Sequence, residues 1–234
     1  MTGPVPETRT SMAPEAPRTR LSLPEIDALC TKAARGAGYA WGVAEEAGFA
    51  CRWLAERRLP GPDIVAAYLD QHAERPWQNI APANGRDWRR DGDGSLCPIA
   101  AGIAFADRAS DLAAMGPISA RFPAVNCPVL MLPFVWRVAF VSHQTLSVEA
   151  TDWKVRLGPQ SLDVVGAPAD PGFSGDGDVV ITATPDQARQ ACLAEAGELS
   201  ARALRILERF SQQTYVPASA LSRAGAGAGE SDND

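Results

Sequence analysis

The hydrophobic pattern of this chain changes period partway along, and that change limits the folds open to it. In the first half, apolar residues recur at helical spacing, as in Ile26, Leu29, Cys30 and Ala33. Later, Trp153, Val155 and Leu157 alternate with Lys154 and Arg156, the period-2 signature of a half-buried strand. Helices come first, strands cluster in the middle and a helix returns at the end, which is α+β order and not the alternation of a doubly wound sheet. The expected fold is therefore α+β: an N-terminal helical hairpin and further helices packed with a central, mostly antiparallel sheet and a long C-terminal helix.

Local signals place the elements. Ser22 and Glu25 have the S-x-x-E spacing of a capping box, so a helix starts there, and Gly36 with Gly38 ends it. A second helix from about Tyr39 to Arg58 completes a hairpin. Gly61 and Pro62 open a third, which runs to about Ala73 and is closed by Pro76. Trp77 to Leu96, rich in Asn, Asp, Gly and Arg, shows neither period and is expected to be a long loop of the kind that often carries function. A fourth helix is expected from Pro98 to about Ala114. Strands are then expected around Phe134 to Val141, Thr145 to Glu149, Trp153 to Leu157, Leu162 to Val165 and Val179 to Ala183. Thr184, Pro185 and Gln187 open the final helix, with Cys192, Ala196, Leu199, Ala203, Ile206 and Phe210 as its apolar stripe.

A chain of 234 residues can bury one core of ordinary size, and no linker divides it. The expected organisation is a disordered leader over residues 1–20, one domain over 21–215 and a flexible acidic tail over 216–234. The leader holds Pro4, Pro6, Pro14 and Pro17 and has no apolar stretch of the signal-peptide kind, and the tail is a Gly/Ala repeat followed by Glu230, Asp232 and Asp234. A net charge of −6 argues against a surface that neutralises nucleic-acid phosphates. The most apolar run, Val129 to Val141, contains Pro133 and Arg137 and falls short of the roughly 20 residues that cross a bilayer. Five cysteines without paired spacing fit a reducing compartment, so a cytoplasmic location is expected.

Three constellations could carry chemistry. The segment Lys32 to Gly48 holds four glycines, Arg35, Trp41, Glu45 and Glu46. Either the glycines let a ligand approach while Arg35 and one of the glutamates line a pocket, or they permit tight helix crossing with both glutamates solvated. Its glycine spacing is not a dinucleotide fingerprint, and a helix precedes it instead of a strand. At Gly94-Ser95-Leu96-Cys97-Pro98 a polar loop enters an apolar helix, where unpaired N–H groups and the helix dipole favour a thiolate at Cys97. His143, at the end of a strand, is the better base of the two histidines, because His72 shares a polar helix face with Asp70, Gln71 and Glu74 and is expected to be solvated. The alternative makes Cys97 a small buried hydrophobe and His143 a surface residue. Arg86, Arg89 and Arg90, with Arg35, could present guanidinium forks to a carboxylate or phosphate, or pair with Asp87, Asp91 and Asp93. With two histidines and no C-x-x-C or H-x-x-x-H pair, no metal and no cofactor is expected.

The motifs SLPEIDALCTKAARGAGYAWGVAEEAG, from Ser22 to Gly48, and DGDGSLCPIAAGIAFAD, from Asp91 to Asp107, resemble a proteobacterial family of unknown function, DUF3726, over about Leu21 to Thr214. The resemblance implies a cytoplasmic bacterial protein of small-molecule metabolism and assigns no catalytic residue. The residues themselves lead to two functional expectations. The first is a cofactor-independent enzyme of the hydrolase or lyase class acting at a carbonyl or amide carbon of a small anionic metabolite. In it Cys97 is the nucleophile and His143 the base, with Glu45 as a further catalytic residue, while Arg35, Trp41, Arg89, Arg90 and Ser95 hold the substrate. The second is a non-catalytic ligand-binding or accessory subunit. The expected partners are the small anion and a second copy of the chain, with no nucleic acid and no membrane.

Overall fold

The computed structural model describes residues 17–73, 80–82, 87–90, 94–151, 153–165, 176–185 and 189–215. The chain enters as strand β1 (Arg18–Ser22) and turns into helix α1 (Leu23–Gly36) at a complete capping box: the Ser22 hydroxyl accepts from the Glu25 N–H, and the Glu25 carboxylate accepts from the Ser22 N–H. Helix α2 (Trp41–Glu56) folds back on α1, and α3 (Gly61–His72) follows. The hairpin interface is built from small residues, with Ala33, Ala34, Ala44 and Ala47 fully buried. At Gly48 the helices touch so closely that a Cβ would lie 2.7 Å from the Asp27 carbonyl oxygen. Gly48 thus serves the crossing of α1 and α2, whereas Gly42 has open space around it.

A short hairpin, β2 (Ile80–Pro82) and β3 (Trp88–Arg90), leads to α4 (Pro98–Ala106) and α5 (Ala109–Ala114). Next come β4 (Ser119–Asn126), a 3₁₀ turn at Pro128–Met131 and α6 (Leu132–Ser142). Strands β5 (Leu146–Glu149), β6 (Lys154–Gly158), β7 (Ser161–Val165) and β8 (Asp176–Ala183) join β4 in a five-stranded antiparallel sheet of order β4-β8-β5-β6-β7. Finally β9 (Ala196–Ser200) pairs with β1, and α7 (Ala201–Gln212) packs on α1 and α3. The fold is α+β, as the order of periods requires.

Four expectations are corrected. The run Phe134 to Val141 is helix, not strand: nearly every position is apolar, so it has no period to read, and Pro133 sits in the first helical turn, where its missing N–H costs nothing. The strand that precedes it, β4, went unread because Pro123 and a register shift between Phe122 and Val125 interrupt its alternation, with Ala124 held at φ 49°. The fourth helix breaks at Asp107–Arg108 into α4 and α5. The long C-terminal helix is a strand followed by a 12-residue helix, because Leu199 lies in β9 and Ser200 caps α7 by accepting from the Ala203 N–H. The structured chain also reaches back to Arg18, inside the span expected as leader, because β9 offers β1 a pairing edge. Residues 1–16 and the acidic tail from 216 lie outside the described residues.

The contact between α1 and α7 gives a direct test of packing. A Cβ on Gly36 would lie 1.8 Å from the Phe210 carbonyl oxygen and 2.6 Å from its carbon, and both are backbone atoms that no rotamer change removes. Gly36→Ala is therefore expected to lose about 1–3 kcal/mol of stability by chemical denaturation, in spite of alanine's advantage of about 1 kcal/mol in a helix. An unchanged unfolding midpoint would show that α7 yields without cost.

Candidate functional site

Three polar side chains meet beneath the turn between α1 and α2. Cys97 is the N-cap of α4: its backbone is extended, and its Sγ accepts from the Ala100 N–H at 3.5 Å. The Tyr39 hydroxyl lies 3.8 Å from that sulfur and donates to the Tyr68 hydroxyl at 3.3 Å. Burial first, then the neighbouring Cys97 and Tyr39, push the Tyr68 phenol far above its usual range, so it stays protonated. Cys97 is only 8% exposed.

The same turn also carries a cation. Arg35, in the last turn of α1, donates from Nη1 to the Tyr39 carbonyl at 2.8 Å, and its guanidinium lies 5.7 Å from the centre of the Trp41 ring. Trp41 itself is 57% exposed at the start of α2. Tyr39 therefore links the two features, with its carbonyl on Arg35 and its hydroxyl on Tyr68 and Cys97.

Of the two histidines, the one dismissed from sequence is the one nearby. His72 is buried, not solvated, because the last turn of α3 faces the core: its ring stacks on Tyr68 at 4.8 Å. Its Nδ1 donates to the Tyr68 carbonyl at 2.9 Å, and its Nε2 accepts from Asn126 Nδ2 at 2.9 Å. With both nitrogens engaged, the ring ties α3 to the end of β4 and is not an available base.

His143 does not join Cys97. It is the exposed, left-handed C-cap of α6, and its neighbour Gln144 binds the Ile118 N–H and the Gly116 carbonyl. Leu96, beside Cys97, instead bridges to Val125. Ile118 and Val125 lie at opposite ends of β4, a span of about 20 Å. The expected nucleophile and base are thus separated by the length of a strand.

The remaining expected residues scatter. Glu45 is exposed on α2, and Glu46 pairs with Arg137 at 2.7 Å, which in turn stacks on Phe49. Ser95 is partly buried two residues before Cys97, and Arg89 is exposed on β3. Arg86 and the side chain of Arg90 lie outside the described residues. Among the described residues, no group of three or more His, Cys, Asp or Glu could hold a metal ion, and no helix is long and apolar enough to cross a membrane. Reading the sequence missed Tyr68, His72 and Asn126. The i, i+4 pair Tyr68 and His72, in line with Ile64, Val65 and Leu69 on α3, was the available signal.

The site is thus a thiol and two phenols under the turn of a small-residue helical hairpin that packs on α3 and on the β1–β9 pair. Residues 21–91 match the family described as "Protein of unknown function (DUF3726)". The match covers the hairpin motif from Ser22 to Gly48 and stops at the first residue of the second motif, so the family resemblance holds for the N-terminal helices and does not reach Cys97. No curated protein matches the chain. Among solved structures, the chain is similar to a dehydrogenase from Sinorhizobium meliloti, with a TM-score of 0.54 and 11% identity over 83% of this chain and 100% of that one. At that identity the likeness concerns the fold alone.

Proposed function

We propose that this chain binds a small anionic molecule at the turn between α1 and α2, with Arg35 and Trp41 at the rim and the Tyr39–Tyr68–Cys97 cluster beneath, and that it does so without cysteine–histidine catalysis. The observation that carries the reading is Tyr39, which ties the guanidinium to the buried hydroxyl and thiol groups. A guanidinium offers five N–H donors in a planar fork that suits carboxylate or phosphate. Neither histidine supports a thiol-based dyad, since one is committed on both nitrogens and the other lies at the far end of β4. A cytoplasmic setting and a homodimer belong to the same proposal. The first rests on the unpaired cysteine spacing, the second on Phe140 and Val141, exposed at the end of α6.

The test is a titration with small mono- and dicarboxylates and inorganic phosphate, read by tryptophan fluorescence. A saturable change is expected that disappears in Trp41→Phe. Arg35→Lys, which keeps the charge and loses the fork, should weaken binding about tenfold, the worth of one charge-assisted hydrogen bond. A saturable signal indifferent to Arg35→Lys, or none with any anion, would overturn the reading.

A specific observation favours the enzyme as second reading. Cys97 sits at a helix N-terminus beside the Tyr68 hydroxyl, which could donate to an oxyanion formed when the sulfur attacks a carbonyl or amide carbon. Under that reading, Cys97→Ser lowers turnover by orders of magnitude while anion binding persists.

A further inference from the structure

Away from this site, the hairpin buries two more thiols. The space beside Gly197 of β9 is filled from both helices: a Cβ there would meet Ile26 Cδ1 at 2.7 Å and Ala55 Cβ at 2.8 Å, so these two residues face each other across the α1–α2 interface. The helices run antiparallel. One turn inward, from 26 to 30 on α1 and from 55 to 51 on α2, Cys30 faces Cys51, and one turn further Ala34 faces Ala47. Both thiols are wholly buried at this layer of the interface. The same small residues that let Gly48 rest on Asp27 and Thr31 hold the helices close at this layer. Such closeness is what a disulfide between helices requires, since it joins Cα atoms only about 4.4–6.8 Å apart.

We infer that Cys30 and Cys51 form an oxidisable pair, which a peroxide converts to a disulfide that staples α1 to α2 in the folded chain. The chemistry balances in two steps. Cys30 sulfur attacks the peroxide O–O bond, becoming a sulfenic acid as one water leaves; Cys51 sulfur then attacks the sulfenic sulfur, forming the S–S bond while its proton departs with the oxygen as a second water. Two thiols lose two electrons and hydrogen peroxide gains them. Burial, and then the adjacent Cys30, hold the Cys51 thiol protonated, so it attacks only as that proton leaves, and the second step is the slower one. No third metal-binding side chain joins the pair among the described residues, so a metal thiolate site is not the alternative.

The experiment treats the dilute full-length chain with hydrogen peroxide, unfolds it in an alkylating agent and maps the peptides. Cys192 is exposed, and its oxidation reports that the reagent has acted. The expected result is a peptide pair linked through Cys30 and Cys51, with a thermal midpoint several degrees higher that dithiothreitol restores. The rise is expected because the bond closes a loop of roughly twenty residues in the unfolded chain. Cys192 oxidised with Cys30 and Cys51 both recovered alkylated overturns the inference. So does linkage of either to another cysteine, over-oxidation of Cys30 without linkage, or a linked pair that fails to raise the midpoint, because a ready geometry adds no strain. In Cys51→Ala, any intramolecular disulfide through Cys30 overturns it as well.

Discussion

Trp88→Ala is expected to cost about 3–5 kcal/mol, the largest single loss in this protein. The residue belongs to the segment that its composition marks as a loop, yet its side chain is 1% exposed. The indole stacks on Phe122 of β4 at 5.3 Å and meets Phe105 of α4 edge-on at 5.5 Å, while Phe105 and Phe122 contact each other at 5.5 Å. Removing it empties the centre of this trio, which neither a short helix nor an edge strand can collapse to refill. Its Nε1 hydrogen has no acceptor among the described residues, so Trp88→Phe gives up ring area without losing a hydrogen bond seen there and should retain most of the stability. Chemical denaturation of both variants checks the pair. A loss below about 1 kcal/mol for Trp88→Ala would mean that β3 can detach from β4 and α4 and that the trio is not a unit of the core.

The second large effect is expected at Leu199→Ala, about 2–5 kcal/mol. Leu199 is fully buried in β9, opposite Thr19 of β1, and the two strands form a sheet of their own beside the helices. Its loss would loosen more than a cavity. The next residue, Ser200, caps α7 and donates its N–H to Asp63 of α3, so β9 positions both helices. Removing residues 1–20 offers a companion measurement: with Thr19, the partner of Leu199, and most of β1 gone, Leu199→Ala should cost measurably less, because the site is already loosened. Equal costs with and without β1 would show that Leu199 packs independently of that strand.

How much of this was legible in the chain depends on where the deciding interactions lie. Ser22 and Glu25 declare the start of α1 because a capping box is satisfied by residues three apart, and Lys154, Val155, Arg156 and Leu157 declare β6 because one face is buried and the other wet. Where both sides are buried, the pattern carries no period: Leu132 to Ser142 reads equally as strand or helix until α4 and the sheet enclose it. The same limit separates the two histidines. His72 and Glu74 look alike as polar neighbours, but the stacking of His72 on Tyr68 and its bond to Asn126, 54 residues away in the chain, are set by the meeting of α3 with the end of β4. Cys97 was placed correctly at its helix terminus by the local Cys-Pro signal. What surrounds it was not, since Tyr39 and Tyr68 arrive from the hairpin and from α3.

By itself, then, the sequence determined the α+β order, the helical hairpin, the β5 to β8 strands and the cap at Cys97, all of which depend on near neighbours and on the alternation of apolar and polar positions. Only the tertiary structure decided that α6 is a helix, that β1 and β9 pair and that Trp88 is core. It also decided that Cys97 meets two tyrosines and not His143, and that Cys30 faces Cys51. Each of these rests on contacts between residues remote in the chain, and their free energy comes from burial and close packing, which local spacing does not encode.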